Sequence, residues 1–174
     1  MNFLELAQTR YSVRSFSPQP VEQEKVDLLL RAAQAAPTAV NFQPYRILVL
    51  QEQEALTKLK DCTRYHFDAP LALVVLADHA VSWKRKYDGK DAAEVDAAII
   101  GTHIMLQAVD LGLGSTWVGY FDPSALREAY HVPENLEPIA IFPIGYPAEG
   151  CSPSAQHTQR KPLEEIAVYN GFQL

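Results

Sequence analysis

The chain has 174 residues, 48% hydrophobic and 21% charged, with a formal net charge of −6. That length and composition suit one globular domain spanning residues 1–174 and able to bury a core. The negative charge argues against non-specific nucleic-acid binding, and the most apolar strand candidate, Pro70 to Ala77, is far too short to cross a bilayer.

Met1-Asn2-Phe3-Leu4-Glu5 lacks a basic n-region and an uninterrupted apolar stretch, so no secretory leader is read and a cytoplasmic location is expected. Cys62 and Cys151 have no CxxC spacing and are expected as free thiols. The histidines, His66, His79, His103, His131 and His157, have no metal-ligand spacing.

In chain order, residues 2–9 predict a short helix with Phe3, Leu4, Leu6 and Ala7 on its apolar side. Pro18 and Pro20 interrupt the chain before a second helix over 22–36, where Val26, Leu29, Leu30 and Ala33 recur at helical spacing and Pro37 ends the pattern. Residues 46–51 read as a strand, 53–61 as a helix, and 71–77 as a fully apolar strand covered on both faces. Residues 79–92 turn polar, basic and aromatic. A long helix follows over 92–111, apolar nearly all round and so expected to be buried in a core or an interface. Gly112 stands at its C-terminal cap. A helix over 123–130, a strand over 138–145 and a loop over 147–162 complete the pass. Interleaved helices and short apolar strands point to a sheet with helices on its faces.

Two segments carry the chemistry. Arg10-Tyr11-Ser12-Val13-Arg14 puts two guanidiniums four residues apart with a hydroxyl between them, and the guanidinium fork is suited to a phosphate. Ala36-Pro37-Thr38-Ala39-Val40-Asn41-Phe42-Gln43-Pro44 combines two backbone-fixing prolines with two side-chain amides that both donate and accept. An anionic tail joined to a heteroaromatic head with polar edges would suit the pair, and FMN is such a ligand. Each segment also has a plainer reading. The arginines would serve as solvated charges at a helix end, and the amides as loop groups bonding nearby backbone.

These segments resemble the nitroreductase family of FMN-dependent NAD(P)H oxidoreductases. Arg10, Ser12, Arg14 and Phe16 match an R-R-S-x-R-x-F pattern. Ala36, Pro37, Asn41, Gln43 and Pro44 match A-P-S-x-x-N-x-Q-P, with Thr38 in place of Ser. Gly112-Leu113-Gly114-Ser115-Thr116-Trp117-Val118-Gly119 follows the long helix, and Gly145-Tyr146-Pro147 precedes Arg160-Lys161-Pro162-Leu163-Glu164-Glu165. The matches keep the family's order from residue 10 to residue 165.

The resemblance implies an α+β fold: a mixed central sheet flanked by helices, in a domain-exchanged homodimer with FMN sites at the interface. It implies phosphate contacts from Arg10, Ser12, Arg14 and Arg160, with Lys161 as a weaker candidate, and places Tyr11 among the cofactor-binding residues. Pro37 and Thr38 would touch the flavin held mainly by the partner subunit. Asn41 and Gln43 would bond the flavin's polar edge and ribityl chain. Trp117 would border the site, and a main-chain N–H of Val118 or Gly119 would face flavin N5. Trp83 and Tyr87 are candidate lid aromatics. NAD(P)H is the implied transient hydride donor, since there is no Gly-x-Gly-x-x-Gly segment to hold a dinucleotide firmly.

The expected activity is ping-pong reduction of nitroaromatics, quinones or similar small acceptors, with no protein acid or base. The alternative is a flavin store or redox sensor without turnover. Tyr11 departs from the family's second Arg, and the 78–91 segment is short, which implies an open pocket. The long helix is expected to bury Ile100, Ile104 or their neighbours between subunits.

Overall fold

The computed structural model describes residues 2–172. Its elements follow the predicted order: α1 (Phe3–Thr9), α2 (Gln23–Ala35), a 3-10 turn (Ala39–Asn41), β1 (Tyr45–Leu50), α3 (Gln53–Cys62), β2 (Leu71–Asp78), α4 (Ala93–Asp110), β3 (Gly114–Ser115), α5 (Pro123–Tyr130), β4 (Leu136–Gly145) and α6 (Leu163–Ile166). Periodicity missed the short pieces, namely the 3-10 turn, β3 and α6, because each is too brief to show a period.

The strands are ordered β1-β2-β4-β3, and every strand ladder is antiparallel. Among the described residues, the mixed character expected of the sheet is confined to one parallel bridge, between Ser12 and Ser115. Strand β2 is buried on both faces, as its unbroken apolar sequence requires. Leu71, Leu73, Val75 and Ala77 face α2 and α4, together with Ala140, Phe142 and Ile144 of β4. Ala72, Val74 and Leu76 face the opposite layer, where Leu59 and Cys62 of α3 meet Leu126 of α5. The period-2 alternation of a strand builds both cores at once.

Local chemistry sets the helix ends. Asn2 Oδ1 accepts from Glu5 N while Glu5 Oε2 accepts from Asn2 N, a complete capping box for α1. Asp122 caps α5 by accepting from the amides of Ser124 and Ala125, with Pro123 at the first helical position. Gly112 lies just past the C-cap Leu111 of α4 at φ +73.

The expectation for α4 needs a correction. Ile100 and Ile104 are completely buried within this chain, in the core that α4 shares with α2 and the sheet. They are not left for a partner, because the wide α2–sheet layer already covers that side. The side of α4 left open instead carries Val95, with Ile99, Met105 and Leu106 half-buried. The larger exposed apolar surface lies at the chain ends, on Phe3 and Leu4 of α1 and on Leu163, Ile166, Val168, Tyr169 and Phe172. Every residue from 161 to 172 is exposed.

Candidate active site

The first arm of the site is held by β3. Val13 N–H donates to Ser115 O at 3.0 Å, beside the Ser12–Ser115 bridge. Val13 is buried against Gly114, where a Cβ would overlap its side chain, so only glycine allows the approach. With Val13 turned inward, extended geometry sends Ser12 and Arg14 to the other side. The C-terminal segment runs back alongside. Ser17 N donates to Tyr146 O at 2.8 Å, Ala148 N to Ser15 O at 3.0 Å, and Phe16 bridges Pro147.

The result is a cavity of about 160 Å³ lined by Arg10, Tyr11, Ser12, Arg14 and Arg160, joined by Ser154, Gln156 and His157. Residues almost 150 positions apart in sequence thus share one wall. None of the three arginines forms an ion pair among the described residues. Three uncompensated guanidiniums beside two serine hydroxyls make a site for a polyanion such as a phosphate monoester. Lys161 lies outside this cavity, ahead of α6, and faces Glu165 at 3.7 Å as an exposed surface pair. The structure therefore does not bring Lys161 to the cradle.

Pro37, Thr38, Asn41 and Gln43 form a separate feature. Thr38 Oγ1 accepts from Gln43 N at 3.0 Å, and Ala39 N donates to Asp96 Oδ1 at 2.9 Å. Inside this frame Val40, Asn41 and Gln43 stand at φ 54, 56 and 53. Left-handed backbone is costly for a β-branched residue such as Val40 and persists only where the surroundings impose it. Gln43 Nε2 donates to Asn41 O at 3.4 Å and Asn41 N to Thr38 O at 2.9 Å, while the Asn41 side-chain amide has no partner among the described residues. None of Pro37, Thr38, Asn41 and Gln43 lines the cavity of the arginine cradle.

The segment after β3 supplies a third wall. Val118 N donates to Ile141 O at 2.9 Å, and Val118 O accepts from Ile141 N at 3.0 Å. Its amide is therefore spent within the sheet, so of the two N–H groups expected toward flavin N5 the one on Val118 is excluded. The Gly119 amide remains without a partner among the described residues, and Gly119 is exposed. Trp117 stands edge-on to Phe142, with ring centroids 5.0 Å apart, and is partly open to solvent.

Gly119 also borders a wider cavity of about 570 Å³, whose wall includes His79, Glu94, Phe121, Arg127 and Glu137. His79 Nδ1 lies 3.0 Å from Asp91 Oδ2 and Nε2 lies 2.5 Å from Glu137 Oε2. A neutral imidazole has one N–H, so only the imidazolium donates to both carboxylates. The Asp91 hydrogen bond raises the His79 pKa above the ordinary value; burial opposes it and Glu137 reinforces it. Burial pushes the Asp91 carboxyl upward, but hydrogen bonds from Ser82, the Ala93 amide and His79 prevail and hold it at about 2. This cluster anchors residues 83–92 as a hairpin, in which Lys84 bridges Asp91 and Ala92 N donates to Trp83 O. Tyr87 sits at its turn, 98% exposed, while Trp83 is half-buried beside Val95 and Ile99.

The sequence profile of the Nitroreductase family matches residues 7–65 and 65–146. The chain belongs to the Nitroreductase family. A nitroreductase family protein from Clostridium difficile 630 superposes with a TM-score of 0.92 at 44% identity, covering 99% of this chain and 100% of that one. An FMN-dependent nitroreductase from Clostridium difficile R20291 superposes at 0.81 with 28% identity, over 98% and 100% of the two chains. A relative from Methanothermobacter thermautotrophicus, provisionally named an NADH dehydrogenase/NAD(P)H nitroreductase, is 33% identical over 156 residues, 86% of this chain and 79% of its own.

The nitroreductase arrangement clarifies which residues sequence reasoning missed. Ser154, Gln156 and His157 fell in a segment read only as loop. Asp96 carried a signal that went unused, since it is a charged residue inside the apolar run of α4 and is 2% exposed. Tyr146, matched as part of a motif, has a structural role here. Its hydroxyl meets Glu22 and Lys25 Nζ, and Lys25 Nζ also donates to Leu111 O at 3.0 Å, capping α4. No helix among the described residues is long and apolar enough to cross a membrane.

Proposed function

We propose that this chain is an FMN-dependent oxidoreductase that takes hydride from NAD(P)H and passes electrons to a nitroaromatic, quinone or similar small acceptor by alternating binding. The observation that carries the reading is the convergence of Arg10, Arg14 and Arg160, none with an ion-pair partner among the described residues, on one cavity with Ser12. The FMN phosphate suits that cradle. The names borne by the relatives from Clostridium difficile R20291 and Methanothermobacter thermautotrophicus support the same cofactor and donor.

Bound FMN would supply the hydride-transfer chemistry itself. The chain's residues do the rest. Arg10, Ser12, Arg14 and Arg160 bind the phosphate. The Gly119 N–H would be the backbone donor available to the flavin ring, and Trp117 would border it. No side chain of the cradle acts as an acid or base in this reading.

The strained loop with Pro37, Thr38, Asn41 and Gln43 serves the flavin of a partner subunit. Its separation from the cradle within one chain supports this, as does the exposed apolar arm at 163–172, which has the composition of a segment that docks on a second copy. The protein is thus read as a domain-exchanged homodimer with two shared sites.

The test is spectroscopic. Purified protein should carry a flavin absorption band or acquire one with FMN, and anaerobic NADH or NADPH should bleach it within the dead time of ordinary mixing. Protein that never binds FMN defeats the reading. A flavin band that NAD(P)H leaves unbleached assigns the chain to flavin holding or redox sensing.

A further inference from the structure

We propose that His157 is a fourth charged group of the phosphate cradle, taking up a proton on Nδ1 when the FMN phosphate binds. The assignment rests on the flavin reading above. His157 lines the same cavity as Arg10, Arg14 and Arg160, and its ring meets Tyr11 edge-on with centroids 6.2 Å apart.

The tautomer follows from chemistry. His157 Nε2 lies 3.0 Å from the carbonyl oxygen of Gln8 in α1. A carbonyl only accepts, so Nε2 carries the hydrogen. In the neutral ring Nδ1 then holds a lone pair, which repels a phosphate oxygen. Protonation turns that same edge into a charge-assisted donor. The charged groups lining the cavity are the three guanidiniums, and its other titratable group is the Tyr11 phenol; no carboxylate lines it. Without an anion, a proton on Nδ1 adds a fourth positive charge to a cationic cluster. With a phosphate dianion present, the same proton is favourable. Anion binding and proton uptake are therefore linked, and each strengthens the other. The proton comes from solvent, because the phosphate monoester is already largely dianionic at a pH above its second pKa of about 6.

Calorimetric titration of the full-length protein, freed of flavin, with FMN tests this. It is run at pH ~7.5, where the phosphate monoester is largely dianionic, in non-phosphate buffers of different ionisation enthalpy. The wild type should take up a sizeable fraction of one proton per FMN. His157→Gln should abolish that uptake and weaken FMN binding roughly tenfold, in line with loss of one charge-assisted hydrogen bond. Riboflavin, which lacks the phosphate, should bind both proteins equally and without proton uptake. An unchanged proton count and affinity in His157→Gln overturns the assignment while leaving the flavin reading intact. Equal weakening of riboflavin and FMN also overturns it, because His157 then acts only by holding α1. Wild-type protein that binds no FMN at all overturns the flavin reading, and the assignment with it.

Discussion

Asp96 Oδ1 accepts from the Ala39 amide at 2.9 Å, joining the first turn of α4 to the loop whose backbone is strained at Val40, Asn41 and Gln43. The other carboxylate oxygen, Oδ2, is buried and has no hydrogen-bond partner among the described residues. Such a residue sits poorly with stability alone and well with holding a loop in shape.

Asp96→Ala should therefore release the 37–43 loop, while Asp96→Asn keeps an acceptor for Ala39. The expected outcome is FMN dissociation accelerated about tenfold or more in the Ala variant, from loss of one charge-assisted hydrogen bond, and largely restored in the Asn variant. Fluorescence recovery of released FMN measures it. Equal dissociation rates in wild type and Asp96→Ala would remove Asp96 from the site.

Arg14→Ala should weaken FMN affinity roughly ten- to a hundred-fold, from one or two charge-assisted bonds. The Arg14 guanidinium is exposed and, among the described residues, donates only to Ser12 O at 3.3 Å, so the fold should survive. Fluorescence titration checks the affinity and thermal unfolding checks the fold. Unchanged affinity returns Arg14 to the role of a solvated surface charge.

Gly101 is where α4 passes Phe142 and Trp117. A methyl there would stand 2.5 Å from Phe142 Cζ and 2.8 Å from Trp117 Cζ3. Gly101→Ala should destabilise the protein by about 1–3 kcal/mol through overpacking, at roughly 2–4 °C in Tm per kcal/mol. It should also move the Trp117 ring, seen as a shift in tryptophan emission. A Tm within a degree of wild type would mean that the two rings yield freely.

The His79 clamp sets a pH dependence with a definite sign. The folded pKa of His79 is raised, so its stabilisation is complete below the ordinary imidazole value and fades as pH rises through the folded value. Asp91 behaves oppositely. With its pKa held at about 2, its contribution is present above the ordinary carboxylate value and is lost as pH falls through about 2. Hydrogen exchange in residues 84–91, corrected for the intrinsic rate, should therefore accelerate as pH rises above neutrality. His79→Gln should flatten that profile. Identical profiles in the two proteins would show that the hairpin is anchored elsewhere.

Assembly separates two variants. Ile104→Asp places a charge in a fully buried position of this chain's own core, so it should unfold the protein, with a cost of about 4 kcal/mol or more. Removal of residues 163–174 should leave the core untouched and convert a dimer of roughly twice the 19.4 kDa chain mass into a monomer. Light scattering with circular dichroism distinguishes the outcomes. A monomeric full-length protein that retains FMN would overturn the shared-site reading.

The long elements were legible because each shows its period locally. The 3.6-residue recurrence of Val26, Leu29 and Ala33 and the unbroken run of β2 need no tertiary information. The Arg10–Arg14 segment and the Ala36–Pro44 segment were legible as ligand-binding sequence because arginine, proline and side-chain amides have narrow chemistries. The burial of Ile100 and Ile104 was misread as an interface. An apolar helix perimeter shows only that something covers it, not whether the cover is the same chain.

By itself the sequence determined the order of elements, the two-sided burial of β2 and the residue types gathered for an anion. Those properties depend on side-chain chemistry and neighbours a few residues away. Only the tertiary structure decided that Arg160 and His157 join Arg10 and Arg14 while Lys161 does not. It also decided that the Val118 amide is consumed by Ile141, leaving Gly119 the free donor, and that Asp96 holds Ala39. Each of those outcomes depends on which backbone groups a distant strand or helix has already satisfied, and one residue's displacement along an extended chain turns its side chain to the opposite face.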